Sequence, residues 1–211
     1  MHKTDSARDS FHSRFNRILA VVAWALTLFA LVTSVVAGVL VPTTVARIVL
    51  PLALVALAAY AVLWRPRLVV DDEAVTVVNV LRTVVIPWSA LIDVDTKFSL
   101  TLRTPNGRYS VWAAPAPGRT GVAMARRAER RHGNQVQTAA MGNRSRPGDL
   151  VTTESGEAAY LVRDRWNSLV ESGRVEAGIA ETVAVQVRWH WVLDVALALL
   201  LIATIVTAAT S

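Results

Sequence analysis

Apolar residues fall along this chain in two patterns: long uninterrupted runs, and one stretch of strict alternation. Ile18 to about Val41 carries no charge. At about 1.5 Å rise per residue that run exceeds the roughly 30 Å hydrocarbon core of a bilayer, which predicts a transmembrane helix. A second run, about Val45 to Trp64, has Arg47 near its outer end and Pro51 in its first half. A proline is tolerated there because neighbouring helices can re-satisfy the freed carbonyl. Pro42-Thr43-Thr44 is a short turn, so 18–64 reads as a transmembrane hairpin. A third run spans Trp191 to Ala209, with Asp194 one turn inside it. So close to a helix end, Asp194 is expected to meet headgroup-level water or Arg188. A cleaved signal peptide is the rival reading of the first run, since Val35-Val36-Ala37 resembles a small-residue site, but the apolar run is too long and a second follows at once.

Between the second and third runs, Leu68 to Ala113 alternates like a half-buried sheet. Six strands are expected: Arg67 to Val70, Ala74 to Val80, Thr83 to Trp88, Leu91 to Phe98, Ser99 to Thr104 and Arg108 to Trp112. Asp71-Asp72-Glu73 forms the first turn, and Pro105-Asn106-Gly107 is a hairpin signal. Ile92 and Val94 are expected on one face, with Asp93 and Asp95 on the other. Six short strands in so few residues predict an antiparallel meander.

Beyond residue 118 the alternation stops. A basic, flexible insert is expected over 119–150, with a short helix through Met124 to Arg131. A helix then follows over about 155–172, capped by Thr153 or Ser155 and stopped by Gly173. Its apolar stripe is Ala158, Leu161, Val162, Trp166, Leu169 and Val170. The expected organisation is a disordered tail over 1–17, the hairpin over 18–64, the meander over 65–118, the insert, a closing segment over 151–188 and the last helix over 191–209.

The runs LVVDDEAVTVVNVLRTVVIPWSAL, LTLRTPNGRYSVWAAPAPGR and AAYLVRDRWNSLVESG resemble the PH domain-containing membrane proteins of actinobacteria, of the low molecular weight protein antigen 6 type. Pro87-Trp88, Gly107 and the Trp166 helix carry the resemblance, which covers about Leu63 to Trp191 with the insert outside the shared pattern. It implies an α+β membrane protein whose PH-like antiparallel barrel or sandwich has seven strands and a closing C-terminal helix. Leu150 to Thr153 is the candidate for the seventh strand, unless the barrel is incomplete. The family's molecular function is largely undefined, so no reaction is implied.

Charge adds a location. The chain has a formal net charge of +6. Seven arginines stand against the single Glu129 between Arg119 and Arg146, while four stand against seven acids between Asp149 and Arg188. Arg119, Arg126, Arg127, Arg130 and Arg131 are therefore the candidate contacts to anionic lipid. Basic and aromatic residues flank the apolar runs as interface anchors: Trp64, Arg65 and Arg67 after the second, Arg188, Trp189 and Trp191 before the third. The positive tail and the Arg65/Arg67 flank put the N-terminus and the domain inside the cell membrane, and the C-terminus outside.

Signposts of catalysis are missing. There is no cysteine, which excludes disulfides and thiolate chemistry, and His2, His12, His132 and His190 show no metal-site spacing. Asp71, Asp72 and Glu73 read as a solvated turn, and Asp93 with Asp95 as a solvent face. Phosphate-loop, nucleophile-elbow and Walker patterns are absent. Trp88, Trp112 and Trp166 are expected to be packing residues. No catalytic residue, metal or cofactor is expected. The expected function is a non-enzymatic interaction or assembly module that contacts membrane lipids and a protein partner or a second copy of itself. Nucleic acid is disfavoured because no aromatics interleave the arginines. The alternatives are a subunit of a membrane transport or enzyme complex, and a sensor of lipid headgroups.

Overall fold

The β-branched alternating stretch folds into two antiparallel sheets in the computed structural model, which describes residues 8–38, 44–97, 99–115, 153–175 and 180–210. One sheet has the order β1 (Asp9–Phe11), β2 (Arg67–Val70), β3 (Ala74–Val78), β4 (Arg82–Pro87), β8 (Gln186–Trp189). The other has the order β5 (Asp93–Asp95), β6 (Ser99–Thr104), β7 (Gly107–Pro115). Register in the first sheet follows the inward-pointing residues. Leu68 faces Val77 and Val70 faces Val75 across β2 and β3, while Val75 faces Ile86 and Val77 faces Val84 across β3 and β4. All six are buried, so a one-residue slip would turn the whole set outward. In the second sheet the register of β6 and β7 shifts between Ser99 and Thr101, and there the consecutive Ala113 and Ala114 are both buried. The hairpin is closed by Pro105 and Asn106, with Gly107 at φ 148 opposite Thr104.

Helix α3 (Glu154–Glu171) packs into the same core through Ala158, Ala159, Val162 and Leu169, with Leu161 and Trp166 partly buried against it. Thr153 is its N-cap: the side chain accepts the Gly156 N–H at 3.1 Å. Glu154 and Glu157 in the first turn suit the positive end of the helix dipole, and Gly173, at φ 69, ends the helix.

A separate unit comprises Arg14–Pro66, Val80–Arg82 and Trp189–Ser211. It contains α1 (Arg14–Val36), α2 (Val45–Ala59) extended by a π turn over Tyr60–Trp64, and α4 (Trp191–Ala209). Helix α2 packs against both α1 and α4. All three are long and apolar enough to cross a membrane, and their outer faces expose residues such as Phe29, Val36, Leu199 and Ile205. Thr27, Thr33, Thr204 and Thr207 donate their hydroxyls to carbonyls one turn back, which satisfies polar groups within apolar helices.

Several expectations are corrected. The segment expected as a disordered tail contains β1, antiparallel to β2 with Phe11 buried, and α1 starts at Arg14 rather than Ile18. Thus the strand missing from the meander precedes the apolar hairpin, and β8 adds another at the far edge; residues 150–152 lie outside the described residues and Thr153 is a helix cap. Trp112 is 53% exposed rather than a packing residue, because Val111 and Ala113 take the inward positions on β7. Ile92 precedes β5 and is exposed, whereas Val94 is buried. Val170 faces outward on α3. The expected helix through Met124 to Arg131, and the lipid-contact residues Arg119, Arg126, Arg127, Arg130 and Arg131, lie outside the described residues.

Candidate functional site

In the sheet unit, the acidic residues flagged by sequence serve the fold. Asp71 Oδ1 accepts the N–H groups of Glu73 and Ala74 at 3.0 and 2.8 Å, closing the turn before β3. Asp72 pairs with Arg165 at 3.0 Å and Arg174 at 3.3 Å, joining that turn to α3 and the segment after it. Asp93 lies opposite Arg103 at 3.8 Å on an exposed face, too loose and too solvated to matter much for stability. Among the described residues, no group of three or more His, Asp or Glu is placed to hold a metal ion.

Two side chains, Trp88 and Asn79, hold this unit together where strand ladders end. The Trp88 indole N–H donates to the Asp71 carbonyl at 2.9 Å, and the ring is 2% exposed. Asn79, just past β3, donates to the Ser110 carbonyl at 2.8 Å and accepts the Trp112 N–H at 2.9 Å. Its amide thus extends β7's hydrogen bonding towards the first sheet.

The other unit gathers most of the predicted interface anchors. The π turn, closed by the Arg65 N–H on the Tyr60 carbonyl at 2.9 Å, brings Trp64 against Trp24 with ring centroids 5.2 Å apart. Trp24 also donates its indole N–H to the Ala56 carbonyl at 3.0 Å, and the Arg17 guanidinium lies 5.1 Å from the Trp64 ring centroid. Arg65 Nη1 donates to the Val80 carbonyl at 3.3 Å and lies 2.7 Å from His190 Nδ1. A guanidinium only donates, so in this contact His190 Nδ1 is the acceptor. The His190 N–H is bound in turn to the Leu81 carbonyl at 2.9 Å, just before α4 begins. Arg82 lies 5.6 Å from the Trp189 ring centroid, and Trp189 stands 6.1 Å from Trp191.

Together Tyr60, Arg65, Trp189, His190, Trp191, Val192, Leu193 and Ala196 line a cavity of about 550 Å³. Arg67 and Arg188, the two remaining predicted anchors, are exposed on β2 and β8 of the sheet unit. Among the described residues no carboxylate lines the cavity, and Asp194 Oδ1 is buried without a hydrogen-bond partner. His190 was set aside in sequence as a histidine with no metal spacing, and its pairing with Arg65 spans 125 positions, a distance no local pattern reveals.

Residues 65–147 match the family model of the bacterial PH domain. The match covers β2 to β7 and leaves out β1, α3 and β8, which the tertiary structure adds to the PH-like domain. It also runs through most of the insert that the sequence resemblance had left outside the shared pattern. No curated protein and no solved structure matches the chain.

Proposed function

We propose that this chain is a non-enzymatic, multi-pass membrane protein of the actinobacterial PH-like type. Its domain mediates protein interaction or assembly at the cytoplasmic face of the cell membrane. The observation that carries the reading is the bacterial PH domain match over residues 65–147, because such domains act as lipid or protein interaction modules. The three apolar helices support anchoring. The pairing of β1 with β2 supports the topology: a chain that leaves the sheet along α1 must return along α2 to rejoin it. Arg17, Arg65 and Arg82, with Trp64, Trp189 and Trp191, gather at the helix ends expected to face inside, while Arg47 is the lone charge near the other end of α2. Arg119, Arg126, Arg127, Arg130 and Arg131 add electrostatic contact to anionic lipid.

Gentle crosslinking in native membranes, followed by pull-down of the full chain and mass spectrometry, tests this. Reproducible recovery of a membrane-protein partner is expected. Recovery of lipid and of the chain itself alone would replace partner assembly with a homo-oligomer.

A second reading, a subunit of a membrane transport or enzyme complex, draws on Asp194, whose buried carboxylate oxygen lacks a hydrogen-bond partner among the described residues on an apolar helix. Loss of a transport or enzymatic phenotype in Asp194→Asn, with the folded protein retained, would put that reading first.

A further inference from the structure

We propose that the cavity between the end of α2 and the start of α4 holds one anionic phospholipid, its phosphate on Arg65 beside His190 and an acyl chain along Val192, Leu193 and Ala196. This rests on the membrane-anchored reading and goes beyond it, since that reading assigns no ligand to this cavity.

Polarity along the helices selects the ligand. Arg65 is the first residue beyond the α2 run and His190 the last before α4, so both sit where apolar helix gives way to polar chain. Val192, Leu193 and Ala196 continue the lining along α4. A ligand that fills the cavity therefore needs an anionic end and an apolar end in that order, which is the layout of a phospholipid. Both Nη1 hydrogens of Arg65 are used, on the Val80 carbonyl and on His190, which fixes the guanidinium plane. Its Nε and Nη2 hydrogens remain, a fork that suits two oxygens of one phosphate. Arg65 brings a full positive charge, and among the described residues no carboxylate in the lining opposes it. Tyr60 and Trp191 supply the amphipathic rings found at headgroup level. A volume of about 550 Å³ takes a headgroup and the upper part of a chain. It does not take a helix, whose diameter with side chains is about 10–12 Å.

The full-length protein in mild detergent is titrated with phosphatidylglycerol, and separately with phosphatidylcholine, and bound lipid is counted by native mass spectrometry. One retained phosphatidylglycerol per chain is expected, with retention weakened about tenfold or more in Arg65→Gln, as for loss of a charge-assisted hydrogen bond. Neutralising Arg126, Arg127, Arg130 and Arg131 together should leave that one lipid in place, separating this site from the insert. A photoreactive residue in place of Val192, which is 88% exposed, is expected to crosslink an acyl chain, and this needs no change at Arg65. Equal retention in Arg65→Gln, equal retention of phosphatidylcholine, complete displacement by inorganic phosphate, or a Val192 crosslink to a protein chain would each overturn the proposal. Alkaline carbonate extraction is read separately: release of the chain from membranes would defeat the anchored reading itself.

Discussion

Ser13 donates its hydroxyl to the Glu154 carboxylate at 2.7 Å, joining the segment after β1 to the first turn of α3. The two residues stand 141 positions apart, and Ser13 is 3% exposed. The bond fastens the strand that precedes the apolar hairpin to the helix that closes the PH-like domain. Ser13→Ala is expected to lower stability by about 1–3 kcal/mol, the usual effect of losing a hydrogen bond to a charged group. Glu154→Gln keeps an acceptor and should cost less. Urea unfolding of the full chain in detergent, followed by circular dichroism, measures both; an unchanged midpoint for Ser13→Ala would show that the bond contributes nothing.

Strand β1 fills the edge of β2, and the family match begins beyond it. A soluble fragment of residues 65–188 therefore exposes an unpaired β2 edge next to a core that has lost Phe11. It is expected to self-associate, whereas joining residues 8–13 to its start through a flexible linker should restore a monomer. Size-exclusion chromatography of the two fragments decides the matter. Monomers in both cases would mean that β1 is dispensable.

Trp88 combines near-complete burial with its indole bond to the Asp71 carbonyl. Trp88→Ala removes both and is expected to cost about 3–5 kcal/mol. Trp88→Phe keeps most of the packing and should cost about 1–3 kcal/mol through the unsatisfied carbonyl. Equal losses in the two variants would assign the whole effect to the hydrogen bond.

Asn79 predicts a local effect rather than a global one. Asn79→Ala removes the acceptor of the Trp112 N–H, so hydrogen exchange at that amide should accelerate. Exchange at the β2 and β3 ladder should change little, because its pairing does not involve the Asn79 side chain. Uniform acceleration across both sheets would show instead that Asn79 supports the whole domain.

Membrane orientation can be read without background because the chain contains no cysteine. Ser211→Cys should react with an impermeant maleimide added to intact cells, and Ser6→Cys only after permeabilisation. The reverse pattern would invert the proposed topology.

What the sequence by itself determined is whatever repeats locally. Uninterrupted apolar runs marked α1, α2 and α4, because a helix of that length needs no distant partner to announce itself. Period-two alternation marked β2 to β7, and a cap with an apolar stripe marked α3. Arg65, Trp64, Trp189 and Trp191 could be singled out from their places beside apolar runs, and the structure brings them into one unit. Tertiary structure alone decided that Asp9-Ser10-Phe11 is a strand, since three residues are too few to show a period and gain their conformation from β2. It alone chose between Val111 and Trp112 for the inside of β7, where both are apolar and the sheet's register settles which one points to the core. The pairing of Arg65 with His190, and the cavity beside them, likewise exists only once α2 and α4 are packed together, because hydrogen bonds and cavities depend on distance in space and not along the chain.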